Sequence, residues 1–396
     1  MTLIKKFFKK REIKVVSEVM PSNPVGQSNP VVPQPEAKQA DKTSHAGVMN
    51  VFHLIVLDES GSMCGVTAQT ISGCNETLQT IREMQKKNPT DQYHLVSIFA
   101  FDTENSRYIR KNQDIDSVPE LTSRDYSPNG GTPLFDAMGD TLTELRTKVD
   151  GKDSIGYVTI ITDGYENASR RYSMEDVQRL IDELKQKGVI FSFIGANIDA
   201  ADYARTMHID NAMQFEQTME GTQEMWQRER RSKMRSNARM QMFRKYEDDN
   251  LEEFYREENE GKYYSEAPEK RVTPDFITSL RPNEIFVFGS DIHGSHNGGA
   301  AKFAVEKFGA IRGKAAGPQG QSYAITTLGV SEEELFRQIV HFYNYAKSNP
   351  QLTFYVTPIG CGTAGWSPYA IAPMFHQAAG LPNVKLPRLF WDYCSE

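Results

Sequence analysis

The chain has 396 residues, enough for two ordinary domains and connecting segments. A hydrophobic content of 39% and a mean hydropathy of −0.54 are low, so part of the chain is expected to lie outside any core. The net charge of −7 argues against general nucleic-acid binding, and four scattered cysteines argue against a disulfide framework and favour a reducing cytoplasm. No apolar run reaches the roughly 18 residues that a transmembrane segment needs, and no signal peptide is evident.

The N-terminal segment joins a basic stretch to a proline-rich one. Residues 1–11 interleave Leu, Ile and Phe with Lys and Arg, which is typical of a disordered basic tail or of a short helix in weak contact with a membrane surface. Prolines with Ser, Asn, Gln and Gly follow in residues 17–49, as in an extended flexible linker. Residues 1–49 are therefore predicted to be a disordered tail and linker.

From Val51 onward, apolar strand-like runs alternate with amphipathic helix-like runs. Such alternation predicts a parallel sheet with helices on both faces and any ligand at the carboxyl ends of the strands. The predicted strands cover 51–58, 93–101, 154–162 and 189–195, and the predicted helices cover 66–87, 133–148, 173–187 and 199–207.

Two of these strands end in side chains that carry oxygen. The first ends in Asp58-Glu-Ser60-Gly-Ser62, the third ends in Asp163, and between them a glycine-rich turn presents Thr132. Because the carboxyl ends of parallel strands meet at one edge, these oxygens are expected to converge and to suit Mg²⁺, or Mn²⁺ in its place. Taken alone, Asp-x-Ser-x-Ser is also compatible with a turn that caps a helix.

The order and spacing of the five residues resemble the von Willebrand factor A domain with its metal-ion-dependent adhesion site, over residues 50–218. By that resemblance, Ser60, Ser62 and Thr132 place oxygens on the ion, and the two aspartates act directly or through water. The family implies a Rossmann-like fold and a protein partner that supplies an acidic residue to the ion. Residues 193–199 resemble bacterial A domains of the tellurite-resistance and stress-response type.

Residues 219–274 are dense in charge, since a cluster of Arg and Lys precedes an acidic block from Glu247 to Glu260. They are predicted to form a charged helical connector: a solvated spacer, a hairpin in which the two blocks pair, or a docking site for another protein. Because this segment is poor in apolar residues, few core contacts are expected to cross it. Proteolysis is then expected to cut between about residues 220 and 270 and to leave two folded pieces.

A second, smaller α/β domain is predicted over residues 275–396. Two apolar strands, near 284–291 and 354–359, each lead into a glycine-rich loop before a helix. Glycines let the backbone approach a phosphate, and a helix N-terminus offers free N–H groups. The residues predicted to hold a nucleotide are Gly289, Ser290 and Asp291 at the end of the first strand, Gly298, Gly299 and Ala300 in the loop after it, and Gly360, Cys361, Gly362, Thr363, Gly365 and Trp366 in the second loop.

Together with the segment from Gly320 to Ile325, these loops resemble the macrodomain superfamily, closest to a branch associated with phages and bacteria. The resemblance implies a pocket for ADP-ribose or a related nucleotide between the loops. Trp366 or Phe303 would lie against a ring of that ligand.

Two departures from the macrodomain pattern bear on catalysis. Asp291 stands where many macrodomains carry asparagine, and Ala364 stands where the glycohydrolase branch carries a catalytic aspartate. Asp291 and His296 are candidates for an acid/base pair. Alternatively, Asp291 binds a ribose hydroxyl and His296 contacts the loop backbone.

The sequence therefore predicts a cytoplasmic protein in which a metal-dependent protein-binding scaffold is coupled to a sensor of an ADP-ribose-type nucleotide. Bacterial or phage stress and conflict, including phage defence, is the expected setting. The rival function is an enzyme that removes or processes ADP-ribose, with the A domain recruiting its substrate. A third possibility is a structural role in which both pockets are vestigial.

Overall fold

The computed structural model of the chain describes residues 48–196, 198–216, 218–247 and 250–394. The predicted tail and linker therefore lie outside the described residues, except for their last two positions. None of the described helices combines the length and the apolar character that a membrane crossing requires.

A six-stranded sheet forms the first half of the described chain, in the order β3-β2-β1-β4-β5-β6. The strands are β1 (Met49–Asp58), β2 (Gln92–Phe101), β3 (Arg107–Asp114), β4 (Ser154–Thr162), β5 (Val189–Ala196) and β6 (Ala212–Phe215). All pairings are parallel except that of β3 with β2. The four predicted strands are confirmed. The edge strands β3 and β6 were not predicted, because β3 is polar along most of its length and β6 has only 4 residues.

Helices cover both faces of this sheet. They are α1 (Thr67–Lys87), α2 (Leu134–Arg146), α3 (Met174–Gln186) and α4 (Ala200–Thr206), which confirms the four predicted helices. Apolar side chains of α2, α3 and α4 share one core with the sheet, and those of α1 share the core on the other face. β4 is buried along its whole length, as expected of a parallel strand covered on both sides.

The predicted connector is helical, with α5 (Met219–Tyr246) and α6 (Leu251–Asn259), but it is not a solvated spacer. Trp226, Met240, Phe243 and Phe254 are buried in the core that also contains residues of both sheets. The described residues from 48 onward form one compact unit. The expectation that few core contacts cross this segment is therefore wrong. The hairpin alternative, in which the basic and acidic blocks pair, agrees with the structure, since Arg239 of α5 pairs with Glu257 and Glu258 of α6. The boundaries at 219 and 275 stay predictions.

A second sheet follows, in the order β11-β10-β7-β9-β8. Its strands are β7 (Glu284–Asp291), β8 (Gly317–Gln319), β9 (Ser322–Leu328), β10 (Thr353–Val356) and β11 (Val384–Lys385), and only β8 is antiparallel to its neighbour. The helices are α7 (Gly299–Phe308), α8 (Glu332–Ser348), α9 (Pro368–Ile371), α10 (His376–Ala379) and α11 (Arg388–Trp391). Since β7 and β10 are parallel neighbours, the loops that follow them lie at the same edge of this sheet.

Tyr369 of α9 links this second half to the first. Its buried hydroxyl oxygen accepts hydrogen bonds from the side-chain amides of Asn88 and Asn237, both at 2.8 Å. Asn88 ends α1 and Asn237 lies in α5, so one hydroxyl joins three helices.

Candidate metal site and glycine-rich loops

Asp58, the last residue of β1, is fully buried and tightly held. Its Oδ1 accepts the backbone N–H of Ser60 at 2.7 Å, and its Oδ2 accepts the hydroxyl of Thr162 at 2.6 Å. Thr162 ends β4, so the first carboxylate is positioned by the two central strands of the sheet.

The other four predicted ligands lie around Asp58. The Ser62 hydroxyl donates to Oδ1 of Asp163 at 2.6 Å, and the hydroxyl oxygens of Ser60 and Ser62 are 3.1 Å apart. A Cβ atom added to Gly164 would lie 3.5 Å from Oγ1 of Thr132, which places the third hydroxyl beside the end of β4. The structure therefore brings the five residues together at one edge of the sheet.

Hydrogen bonds between loops hold this arrangement. Gly61 N–H donates to the carbonyl of Gly130 at 3.0 Å, and the N–H of Thr132 donates to Oδ1 of Asn167 at 2.9 Å. Gly130 has a φ of +69°, and a Cβ there would lie 2.4 Å from Oγ1 of Thr103, so only glycine fits this turn. The supporting roles of Thr162 and Asn167 were not predicted, since no local sequence pattern marks a residue that holds a metal ligand from a distant strand or loop.

The electrostatics of the site favour a cation. The pKa of Asp58 is raised to about 6, mainly by burial and with a further contribution from the nearby Asp163, although hydrogen bonds from Thr162 and Ser60 act to lower it. A cation at this position would stabilise both ionised carboxylates. Two carboxylates and three hydroxyls are hard oxygen donors, which fit Mg²⁺ or Mn²⁺ better than a soft metal. The described part of the chain holds no cluster of three or more His, Cys, Asp or Glu side chains suited to a metal.

The second glycine-rich loop lies close to Gly289, near the end of β7. A Cβ atom added to Gly289 would lie 3.4 Å from the backbone nitrogen of Gly360. Trp366 is anchored beside them, because its Nε1–H donates to the carbonyl of Thr327 at 2.8 Å. Phe303 packs in a separate apolar cluster with neighbouring phenylalanines of β7 and α7.

The exposed parts of both loops leave room above the backbone. A Cβ atom added at any of four glycines would have no neighbour within 4 Å: Gly298, Gly299, Gly362 and Gly365. Ala300 lies in the first turn of α7, Thr363 is exposed, and burial raises the pKa of the half-buried Cys361 thiol.

Asp291 and His296 bind different partners. Asp291 accepts the N–H groups of His293 and Ser295 at 2.8 and 3.2 Å, and these bonds hold its pKa below the usual value although burial acts to raise it. His296 is buried, its Nε2 lies 2.9 Å from Oγ of Ser290, and its Nδ1 has no hydrogen-bond partner among the described residues. Burial lowers the pKa of His296. His296 was predicted to contact the loop backbone, but in the structure it bonds the side chain of Ser290.

Residues 54–227 match the von Willebrand factor type A domain family. This part of the chain therefore forms a von Willebrand factor A domain, as its sequence predicts. The match runs into the first turns of α5, which the sequence assigned to the connector. A comparison with curated proteins found no match.

Several solved structures are similar to the chain. A von Willebrand factor type A protein from Catenulispora acidiphila is 14% identical, with 57% of this chain and 44% of that one covered and a TM-score of 0.32. Proximal thread matrix protein 1 from the mussel byssus, with a zinc-occupied MIDAS motif, is 15% identical, with coverage of 46% and 44% and a TM-score of 0.31. Manganese-loaded Plasmodium vivax TRAP protein is 18% identical, with coverage of 38% and 57% and a TM-score of 0.26. The chain thus spans about half of the length of these proteins.

Proposed function

We propose that the von Willebrand factor A domain binds a protein partner through a divalent cation, Mg²⁺ or Mn²⁺. The convergence of Asp58, Ser60, Ser62, Thr132 and Asp163 on one sheet edge carries this proposal. Three of the five ligands are neutral hydroxyls, so the ion would keep much of its positive charge. A carboxylate from the partner would complete its coordination, since Mg²⁺ is commonly held by few protein oxygens.

Calorimetric titration with Mg²⁺ and Mn²⁺ tests the metal site in the full chain. Asp163→Ala should weaken metal binding by at least about tenfold, because a charged ligand is lost. Asp182→Ala removes an exposed carboxylate of α3 that pairs with His208, and should leave metal affinity unchanged. Equal affinities in wild type and Asp163→Ala would refute the site.

The interaction itself is tested by affinity capture from the cells that produce the protein. A partner should be retained in the presence of Mn²⁺, released by EDTA, and lost in Thr132→Ala. A partner retained equally with EDTA would show that binding does not require the cation.

For the second half, we propose that the two glycine-rich loops bind a phosphate-bearing nucleotide of the ADP-ribose type, as the macrodomain resemblance suggests. Support comes from the close approach of Gly289 to Gly360 and from the open space above Gly299 and Gly362. α7 begins at Gly299, so the N–H groups of its first turn, which have no partner within the helix, lie at the end of the first glycine-rich loop.

Thermal shift of the full chain with ADP-ribose and NAD⁺ tests this second proposal. Gly299→Glu or Gly362→Glu should abolish the stabilisation, because each adds bulk and a charge that repels phosphate. Gly362→Glu is the cleaner variant, because Gly299 has a φ of +52° and any side chain there also strains the backbone. Gln351→Glu adds the same charge at an exposed position after α8 and is the control. A wild-type chain that no nucleotide stabilises at millimolar concentration would contradict the proposal.

The Asp291→Asn variant distinguishes an enzyme that processes the nucleotide from a sensor that only binds it. The variant keeps the shape and one hydrogen-bond acceptor, so a sensor should still bind ligand. An enzyme that uses Asp291 as a base should retain ligand and lose turnover. The tellurite-resistance type, the setting in phage or bacterial stress and the cytoplasmic location stay predictions.

A further inference from the structure

An open cleft of about 500 Å³ lies beside the candidate metal site. It adjoins that site directly, because Pro133 and Asn167 line it and the Asn167 side chain accepts the N–H of the ligand residue Thr132. The residues that line the cleft include Asp102, Pro133, Asp136, Asn167, Arg170 and Arg171.

The acidic groups of this cleft are already occupied by hydrogen bonds within the protein. The carboxylate of Asp136 accepts the backbone N–H groups of Arg170, Arg171 and Tyr172 at 2.8 to 3.0 Å. Asp102 likewise accepts the N–H groups that follow it, at 2.5 and 2.6 Å. Their negative charge is therefore partly compensated by these N–H groups.

The hydrogen-bond donors of the cleft are not all occupied. The Arg171 guanidinium is held by both oxygens of Asp140 at 2.7 Å. By contrast, the exposed Arg170 guanidinium and the Asn167 side-chain NH₂ have no protein partner within the described residues. In the described part of the chain, the cleft thus offers an unpaired guanidinium and an unpaired amide N–H donor next to the candidate metal site.

We propose that this cleft binds a second acidic side chain of the partner segment whose first carboxylate coordinates the metal ion. The inference rests on the proposed metal-dependent function and narrows its partner to a segment with two acidic residues. A guanidinium binds a carboxylate through two parallel hydrogen bonds, so Arg170 is the main contact, and Asn167 adds a donor between the two positions.

The test uses short Gly/Ser peptides that carry either one glutamate or two glutamates at a series of separations. Their dissociation constants are measured with the full chain in the presence of Mn²⁺. The best two-glutamate peptide should bind about two- to fivefold more tightly than the one-glutamate peptide, the range expected of an exposed ion pair. Arg170→Ala should remove this preference and leave both metal affinity and one-glutamate binding unchanged.

Two further variants sharpen the result. Arg170→Lys keeps the charge without the paired geometry and should retain part of the preference. Arg179→Ala removes an exposed arginine of α3 that does not line the cleft, and should retain all of it. A preference that survives in Arg170→Ala, or that is missing in the wild type while the one-glutamate peptide binds, would overturn the cleft proposal alone. If the metal-loaded protein binds neither peptide, the proposed metal-dependent recognition fails, and this inference fails with it.

Discussion

His53 and His94 are polar residues in the apolar strands β1 and β2, and they lie against each other. Their rings are stacked with centroids 5.2 Å apart, and Nε2 of His53 is 2.9 Å from Nδ1 of His94. The other ring nitrogen of His94 lies 2.9 Å from the side-chain oxygen of Gln92. Burial lowers the pKa of both histidines, to about 3 for His94, and the charge of Lys233 contributes to the lowering for His53.

This pair predicts loss of stability in acid. Both rings are neutral in the folded protein but take up protons in the unfolded chain below pH 6.5. The unfolded state then binds more protons, so this contribution to stability is intact above about pH 6.5 and falls below it, by about 1.4 kcal/mol per pH unit for His94 down to about pH 3. His53 acts in the same direction. Urea unfolding at a series of pH values measures the net slope, from which the raised pKa of Asp58 subtracts between pH 3.8 and about 6. His94→Gln should make it shallower, and an unchanged slope in that variant would contradict the assignment.

At the scale of elements, α5 packs a buried ion pair against the first sheet. Lys233 and Glu229 are each about 1% exposed, and their charged atoms are 3.2 Å apart. The Glu229 carboxylate also accepts the hydroxyls of Tyr263 and Tyr264 at 3.0 and 2.7 Å and that of Thr159 at 3.1 Å. α5 is thereby fixed to the centre of the sheet and to the residues that follow α6.

Breaking this pair should be costly. Lys233→Met leaves the buried Glu229 without its counter-ion and should lower the free energy of unfolding by about 3 to 5 kcal/mol. Adding Glu229→Gln should recover much of the loss, because the uncompensated charge disappears. Arg231→Ala alters an exposed arginine of the same helix and should change stability by less than about 0.5 kcal/mol. Denaturant titration of the wild type, Lys233→Met, the double variant and Arg231→Ala measures these differences. Similar stabilities for Lys233→Met and Arg231→Ala would contradict a buried ion pair.

The contact of α1 with α5 depends on a glycine. A Cβ atom added to Gly73 would lie 1.8 Å from Cε2 of Trp226, so Gly73→Ala must displace the buried indole. A loss of about 1 to 3 kcal/mol is expected from this overpacking. Gly65→Ala is the matched control, since a Cβ there would meet nothing within 4 Å. Thermal unfolding should show a lower midpoint for the first variant only, and equal midpoints would refute the close approach.

At the scale of the whole molecule, α5 and α6 lie inside a core shared by the two sheets. Phe254 and Tyr255 of α6 are at most 6% exposed, whereas Phe276, between α6 and β7, is 90% exposed. Tyr369 adds a polar link, because its hydroxyl binds both α1 and α5.

Limited chymotrypsin digestion should therefore cut first after Phe276 within the described residues from 218 to 394, and not within α5 or α6. The two resulting pieces should stay associated during size-exclusion chromatography because of their common core. Early cleavage within α5 or α6, or separation of the pieces, would favour independent modules joined by an exposed connector.

Much of the first half was predictable from the sequence. The predicted strands and helices of residues 51–207 are confirmed, because alternation of apolar and polar residues is a local signal. The five candidate ligands were also predicted locally, four of them at the ends of β1 and β4 and Thr132 in the glycine-rich turn before α2. The same reasoning located both glycine-rich loops.

Only the tertiary structure decided the remainder. The sequence left open whether the charges of α5 are solvated, paired with the acidic block or part of a docking site. In the structure Lys233 meets Thr159 and Glu229 meets Tyr264 across the core. The support of Asp58 by Thr162 and the cleft beside Asn167 also depend on residues brought together from distant strands and loops. Such contacts leave no periodic pattern along the chain. Whether a charged residue is paired in a core or surrounded by water is set by its neighbours in space, and folding alone supplies them.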